Sequence, residues 1–589
     1  MHMKPMVMKI KSIAALFLVG LFLVGCDPRG IPEDSLTSNS EVRIHDIQGC
    51  SHQSPFASSN INDLPGIVTR KVSNGFYMQD DQFDAYFCTS EAVFVFTNTF
   101  PEVLPGDRVN VTGRVEEYQP GGIDSQNLAT TQVFSKDIKI LSHGNPLPEP
   151  TLIGTGGISI PGMVIDDDTL KVFDPENDGI DFYESLESML VRIENGVVVG
   201  ARNQYNEVVI IPGESLSQNL VSKEGGLLLQ ENDFNPERII LNLNKENQEK
   251  IHVGALLDKP IIGIVDYTYG NYKVNVLGVA SFQNTAFNVS EIEKMDGALS
   301  VASYNVENLS RFDQARLAQL AEDVGIILDS PDILVLHEIL DDSGVEDDGE
   351  TSAALTLKQL VSQIEENGGI SYDYIDNPPL NNQDGGIEGG NIRSVILYRT
   401  DRINITETTV GGLATNPTRI GSENWPFSGT RKPLVALFEH DGGQFLIVAV
   451  HLTSRGADSP FFGNIQPVER PEESKRIAQA GHIYEFIRDF QKRNPEVMII
   501  VAGDLNDDPW SKTLQTIKGD LLADSRESLP ENERFTYILD GNAIQLDHIL
   551  YSTNTEWAGS VSIIHLNTLF DHTVQISDHD PVIAEFYIP

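Results

Sequence analysis

Carboxylates, amides and histidines gather at the ends of apolar runs in the last half of this chain. Val497–Asp508 reads VMIIVAGDLNDD, an apolar run broken at Gly503 and followed by Asp504, Asn506, Asp507 and Asp508. Such a run predicts a strand buried on both faces. A strand that ends in a glycine turn and carboxylates can hold a divalent cation through oxygen ligands. Three similar arrangements occur, at Ser303–Asn308 (SYNVEN), Leu334–Glu338 (LVLHE) and Ser577–Pro581 (SDHDP). Between them lie Val450–Ser454 (VHLTS) and Gln545–Ile549 (QLDHI). Phosphodiester hydrolysis needs this kit: a carboxylate-held cation on a phosphoryl oxygen, a histidine–carboxylate pair to deprotonate water, and amides to fix the phosphate. Taken singly, each motif is equally a polar turn or a core histidine. Together they make a hydrolytic site the leading reading.

The elements that must carry these residues alternate between strand and helix from about Ala298 onward. Asp313–Asp329, Leu355–Glu366 and Glu472–Gln491 have helical periodicity. Strands are predicted at Ile333–Leu336, Ser394–Tyr398, Leu434–Phe438, Phe445–Val450, Val497–Val501, Asp547–Tyr551 and Val582–Tyr587. This alternation predicts a layered α/β domain over 298–589.

The front half reads differently. Short strands broken by turns occupy 42–144, at Gly66–Lys71, Gly75–Gln79, Ala92–Thr97 and Arg108–Val115, with a turn at Pro105-Gly106-Asp107. They predict a small β-barrel. A second β-rich domain is predicted over 145–290, with strands at Met189–Val199, Val208–Ile211, Arg238–Leu243 and Pro260–Tyr267. Within it, Asp174–Asp181 has calcium-loop spacing, but Ser185 stands where a bidentate glutamate belongs, so a solvated acidic turn is the expectation.

Composition bounds the partners. The chain has 589 residues with 41 basic and 86 acidic side chains, a formal charge of −45. Long-range attraction of an anionic polymer is excluded, so a phosphate-bearing substrate must be met by bound cations or a local basic patch. Near the N-terminus, Lys9 and Lys11 precede the apolar run Ile13–Val24, which is short for a permanent span. It ends in Leu23-Val24-Gly25-Cys26, which resembles a bacterial lipobox. That resemblance implies a signal peptide over 1–25, acylation of Cys26, a tether over 26–41 and a membrane-anchored protein of the bacterial cell envelope. Cys50 and Cys88 then remain, and in an exported protein they are expected to pair.

In this order and at these separations, the motifs of 298–589 resemble the endonuclease/exonuclease/phosphatase superfamily, whose members include pancreatic-type deoxyribonuclease, sphingomyelinases and inositol-polyphosphate phosphatases. The resemblance implies a four-layered α/β sandwich. It implies Glu338 as the main metal ligand with Asn305, Glu307 and Asp578 beside it, and Mg²⁺, or else Ca²⁺ or Mn²⁺, as cofactor. It further implies His579 as general base oriented by Asp547, His451 as the second histidine, and Asp504 with Asn506 contacting nucleophile and phosphate. His337 stands where glutamine is usual.

The segments GNIR before a strand, RKPL, HLTSRG and DSPFFGNIQP resemble bacterial extracellular endonucleases. That places Arg393, Arg431 and Arg455 at the substrate, where the superfamily resemblance also implies Asn308 of SYNVEN. The front half, with IHDIQG and the barrel pattern, resembles the oligonucleotide-binding (OB) fold found ahead of some secreted nucleases. There Phe76, Tyr77 and Tyr86 are stacking candidates, of which two are expected to pack the barrel instead. The expected function is metal-dependent hydrolysis of DNA or RNA, most simply as an endonuclease. A phosphatase or phospholipid phosphodiesterase is the alternative. No protein partner is implied, and the oligomeric state is left open.

Overall fold

Alternating small apolar and polar residues in the front half close a barrel. The computed structural model describes residues 42–588 apart from 85, 218, 287–291, 293, 407–412 and 555–558. The signal-peptide stretch 1–25, Cys26 and the tether 26–41 lie outside the described residues. Strands Asn60–Val72, Gly75–Gln79, Ala92–Phe96, Thr130–Ser142 and Arg108–Tyr118 are hydrogen-bonded in that order, and the last returns to the first. One pair, Ala92–Phe96 with Thr130–Ser142, is parallel; the others are antiparallel. Val68, Phe76, Val95, Val111, Val115 and Val133 fill the interior, and Ile44 and Ile47 of the helix Ile44–Gln48 pack onto the same core. A Cys50–Cys88 disulfide ties the loop after that helix to the turn before Ala92.

Phe76 is fully buried in the barrel core, and Tyr77 is buried against Leu190 and Ile264 of the neighbouring sheet, its hydroxyl donating to Asp266 Oδ2 at 2.9 Å. Tyr86 is 70% exposed. Of the three stacking candidates, two are therefore packing residues.

The next region forms a nine-stranded sheet. The single strand predicted at Met189–Val199 is two, Leu190–Ile193 and Val197–Gly200, broken at Glu194-Asn195-Gly196, and the first pairs with Ile261–Thr268 while the second pairs with Glu207–Ile211. The acidic stretch Asp174–Asp181 leads into the helix Gly179–Glu184, with Ser185 at its C-cap. It is not a wholly solvated turn: Asp178 and Asp181 are buried, and His52 Nε2 lies 3.0 Å from Asp181 Oδ1. Tyr267 stitches the regions together. Its hydroxyl accepts from Leu128 N of the barrel side at 3.1 Å and donates to Phe462 O of the C-terminal region at 2.7 Å.

The C-terminal region contains two larger sheets. One runs Tyr372–Ile375, Arg393–Arg399, Ile333–Ile339, Leu299–Leu309, Val582–Phe586, Ser560–Ile563. The other runs Asn404–Ile405, Leu434–His440, Gly443–His451, Met498–Asp504, Asp547–Ser552, Leu522–Asp524, with Thr418–Arg419 beside Leu434–His440. Their inner faces share a core of Val301, Val335, Ile396, Ile447, Ile500 and Ile549. Helices Gln314–Glu322 and Ala354–Gly368 cover the outer face of the first sheet with Leu317, Leu320, Leu357 and Leu360. The predicted helix 313–329 is α-helical only to Glu322 and widens to a π turn over Asp323–Ile327. Helices Glu473–Arg493 and Lys512–Lys518 cover the second sheet with Ile483, Ile487, Phe490 and Leu514. Each such side chain contributes about 1.5–3 kcal/mol on burial. Local signals end and start these helices. Gly369 takes the left-handed conformation (φ 68°) after Gly368, and Ser511 Oγ accepts from Leu514 N at 3.2 Å as an N-cap. No helix among the described residues is long and apolar enough to cross a membrane.

Candidate active site

Strand register builds one half of the site. Met498–Asp504 pairs parallel with Gly443–His451 and antiparallel with Asp547–Ser552, so His451, Asp504 and Asp547 lie side by side across three strands. Directly opposed residues project to the same face. The close approach depends on Gly503 (φ 149°): a Cβ there would lie 1.8 Å from Val450 O and 2.9 Å from His337 Cε1. The other sheet supplies the opposing half. Asn305 aligns with His337, and Glu338 follows at the end of its strand.

The two halves meet through short contacts. Asn305 Nδ2 donates to Glu338 Oε1 and to Asp504 Oδ2, both at 3.3 Å. Asn308 N donates to Glu338 Oε2 at 3.1 Å. His451 Nε2 lies 3.8 Å from Glu338 Oε1 and 3.6 Å from Asp504 Oδ2. Asn506 donates twice to Asp504, from its backbone N to Oδ1 at 2.7 Å and from Nδ2 to Oδ2 at 3.1 Å. His579 Nδ1 is 2.7 Å from Asp547 Oδ2, leaving Nε2 facing Asp504 Oδ2 at 3.9 Å and the half-exposed Asp578 at 4.0 Å.

Backbone strain concentrates at the same place. Glu307, Asn308, Glu338 and Asn506 all have φ between 48° and 65°. For residues with a Cβ this conformation costs on the order of 1 kcal/mol or more each.

The charges explain the protonation states. Burial raises Asp504, Asp547 and Glu338 add to the rise, and His579 only partly offsets it, so the carboxyl is pushed up to about 7. Glu307 stands at the solvent-facing mouth. Crowding around its carboxyl, then the like charges of Asp578 and Glu338, push it up to about 7. Burial by itself would lower His579, but Asp547, with Asp578 behind it, holds the ring well above the usual histidine value. His451 is held well below that value by burial and then by Arg431, so it is neutral. His337 is pushed down to about 3 by burial; Ser394 Oγ lies 2.8 Å from its Nδ1, and the ring forms the floor beneath Gly503.

The donor set fits a divalent metal. Asp547 and Glu338 both raise Asp504, and Asp578 and Glu338 both raise Glu307, a like-charge repulsion that a hard cation with oxygen ligands relieves. Glu338 and Asn305, with Asp578 and Glu307 at the mouth, are the residues that could hold it. Asp504, Asp547 and His579 also present ligand atoms within 4.8 Å of one another. Asp547 is already bonded to His579 Nδ1, so this trio is better suited to moving a proton.

Not every expected residue converges. Arg431 is buried and feels both Glu338 and Asp504; its Nη2 donates to Leu452 O at 2.6 Å. Arg393 pairs with Asp376 at 3.2 Å and donates to Asn391 O, and Arg455 pairs with Asp458 at 3.1 Å and Asp508 at 2.8 Å. Both are engaged within the protein. Three supporting residues escaped sequence reasoning. Ser577 Oγ donates to Asn305 O at 2.6 Å and accepts from His579 N at 3.1 Å, bridging the two halves. Thr536 Oγ1 accepts from Asp547 N at 3.1 Å, and the Tyr537 ring lies 4.9 Å from that of His579. Ser577 sits inside the SDHDP run; nothing in the sequence marks Thr536 or Tyr537.

None of the curated proteins matches this chain. Among solved structures, the chain is similar to D. rerio TDP2 humanized by 14 mutations (17% identity, 50% of this chain and 100% of that one, TM-score 0.33). It is also similar to the human Nocturnin catalytic domain with bound sulfate (17%, 51% and 97%, 0.36). A third is an endonuclease/exonuclease/phosphatase from Bacteroides vulgatus (17%, 50% and 99%, 0.34). Residues 152–284 match a domain of unknown function (DUF8508). Residues 302–579, which span every residue of the site from Asn305 to His579, match the Endonuclease/Exonuclease/phosphatase family, and this part of the chain is a domain of that family.

Proposed function

We propose that this domain is a divalent-metal-dependent phosphodiesterase that cuts DNA internally, on an exported protein anchored by lipid at Cys26. The observation that carries the hydrolytic reading is the line Asp547–His579–Asp504 facing Glu338 and Asn305 across the junction of two sheets. With Nδ1 committed to Asp547, His579 keeps Nε2 for a water held at Asp504. Neutral His451 presents Nε2 to the same carboxylate from the other side. Asn305 and Asn506 bring amide donors to the place a phosphate would take, and Arg431 supplies the nearby positive charge. A bound cation would neutralise a phosphoryl oxygen and offset the carboxylates that hold His579 high.

Two architectural readings accompany this. The helix, sheet, sheet, helix order supports a four-layered sandwich. The barrel's strand order, with a single parallel pair, supports an oligonucleotide-binding fold, which favours a nucleic-acid substrate. The expected domain limits, 42–144, 145–290 and 298–589, remain part of this proposal.

The test is nicking of supercoiled plasmid by purified protein with Mg²⁺, with Mg²⁺ plus Ca²⁺, and with EDTA, beside His579→Ala. Metal-dependent nicking lost in the variant supports the proposal. A folded protein that leaves plasmid intact but hydrolyses phospholipid or phosphomonoester would replace the nuclease reading.

A further inference from the structure

One short hairpin, Tyr537–Leu539 with Asn542–Ile544, touches both members of the Asp547–His579 pair. Tyr537 forms an isolated β-bridge with His579, and the two rings lie 4.9 Å apart. Thr536, just before it, accepts from Asp547 N at its Oγ1 (3.1 Å) and from Asp580 N at its carbonyl (2.8 Å). His579 itself lies outside the strands, so the bridge to Tyr537 is the regular backbone pairing it has. Neither strand of the hairpin pairs with a strand of the two larger sheets. Among the described residues its partner is Leu227–Leu228, which runs parallel to Asn542–Ile544. Leu227–Leu228 belongs to residues 152–284, the stretch that matches a domain of unknown function.

The same stretch grips the hairpin tip. Asn235 Nδ2 donates to Asn542 Oδ1 at 2.7 Å and to Leu228 O at 3.1 Å, and Leu229 N donates to Ala543 O at 3.1 Å. Arg238 Nη1 donates to Asp540 O, and Asn271 Nδ2 donates to Asp540 Oδ2 at 3.0 Å. Asn235 and Asn542 are both fully buried. No water replaces a bond between buried amides when it breaks, so the contact holds one geometry. Gly541 (φ 82°) lies against the nine-stranded sheet itself: a Cβ there would come within 2.7 Å of Val209 Cγ1 and 3.1 Å of Val199 Cγ2.

We propose that Asn235, Arg238 and Asn271 are positioning residues for the hydrolytic pair. Residues 152–284 hold the hairpin tip, and the hairpin sets Asp547 through Thr536 and His579 through Tyr537. This assignment rests on the reading of Asp547 and His579 as the pair that activates water. Geometry at such a pair is tight: a misplacement of about 1 Å costs on the order of 10²-fold in rate, even when the change behind it is remote. A stretch that contributes no side chain to the catalytic cluster thereby takes part in the reaction.

The test is steady-state plasmid nicking with Mg²⁺ by full-length protein, with the urea midpoint as the control for folding. Asn542→Ala removes the acceptor of Asn235, and it should lower kcat roughly tenfold to hundredfold with KM unchanged. Asn271→Ala, at a half-buried position, removes only the bond to Asp540 Oδ2; it should lower kcat in the same direction, and it decides the matter if Asn542→Ala does not fold. In an Asp547→Asn background neither substitution should lower kcat further by more than about twofold, because groups acting as one unit do not lose rate independently. A contact that only stabilised the fold would leave the kcat of folded protein unchanged. Parent-like kcat in the folded variants, or equal losses in both backgrounds, overturns the proposal. An Asp547→Asn protein that keeps its rate removes the hydrolytic pair itself, a failure seen without any hairpin variant.

Discussion

The Asp547–His579 pair gives the sharpest test of the catalytic reading. Asp547 is fully buried, its Oδ2 lies 2.7 Å from His579 Nδ1, and its backbone N donates to Thr536 Oγ1 at 3.1 Å. Asp547→Asn keeps the shape and removes the charge. Two consequences follow. The charge-assisted bond becomes a neutral one of about half the strength. The ring loses the carboxylate that fixes its proton on Nδ1, so the tautomer with Nε2 protonated, which cannot accept from water, becomes populated. A general base so disabled costs about 10²–10⁴ in rate, or about 2.7–5.4 kcal/mol in the barrier. The assay is the single-turnover rate of plasmid nicking at saturating Mg²⁺, with the urea midpoint as a control for folding. His579→Ala should fall by a similar factor. The double variant should be no worse than the more damaged single, since the two side chains act as one unit. A folded Asp547→Asn protein that keeps its rate within about fivefold of the parent would refute the dyad, being well short of the loss expected for a general base. Multiplicative losses in the double variant would refute it too.

Three further outcomes are expected. Gly503→Ala would force its Cβ to within 1.8 Å of Val450 O between two paired strands, so it should cost about 3 kcal/mol or more, read as a lowered urea midpoint. Asp571→Asn would strand the buried Arg202, which now bonds that carboxylate at 2.8 and 3.2 Å across the boundary between the nine-stranded and C-terminal regions; a loss of about 3–5 kcal/mol is expected by chemical denaturation. In the parent, burial works against Asp571, but Arg202 and Thr573 outweigh it and hold the carboxyl at about 2. Its folded value is depressed, so the stabilisation is complete above an unfolded value of about 3.9 and disappears as pH falls through about 2. Stability of parent and Asp571→Asn proteins should therefore converge on acidification through that window, and parallel curves would contradict it. Removing divalent metal with EDTA should abolish nicking, and Mg²⁺ should restore it; activity that survives chelation would exclude the metal reading.

Element types were legible where periodicity was strong. Glu472–Gln491 and Leu355–Glu366 were readable as helices because their apolar residues recur on one face, and Val497–Val501 as a strand because nothing polar interrupts it. Failures came where a local signal competed with the pattern. Glu194-Asn195-Gly196 breaks what read as one strand into two with different pairing partners, and the helix from Gln314 gives way to a π turn at Asp323, where burial raises a carboxyl to about 6. Ser577 was visible only as part of a motif, while Thr536 and Tyr537 carry no signal that distinguishes them from other hairpin residues.

By itself the sequence determined which residue types stand at the ends of which apolar runs, and hence a set of carboxylates, amides and histidines suited to phosphodiester hydrolysis. Composition also required that any positive charge near a phosphate be local. Only the tertiary structure decided which members meet. Register across three strands aligns His451, Asp504 and Asp547, and the second sheet brings Asn305 and Glu338 to within 3.3 Å of hydrogen-bonding partners. It also decided that Arg455 and Arg393 are bound to Asp508 and Asp376, while Arg431 lies beside the carboxylates. A side chain's type is local information, but its protonation and its partners depend on residues hundreds of positions away that the fold brings within a few ångströms.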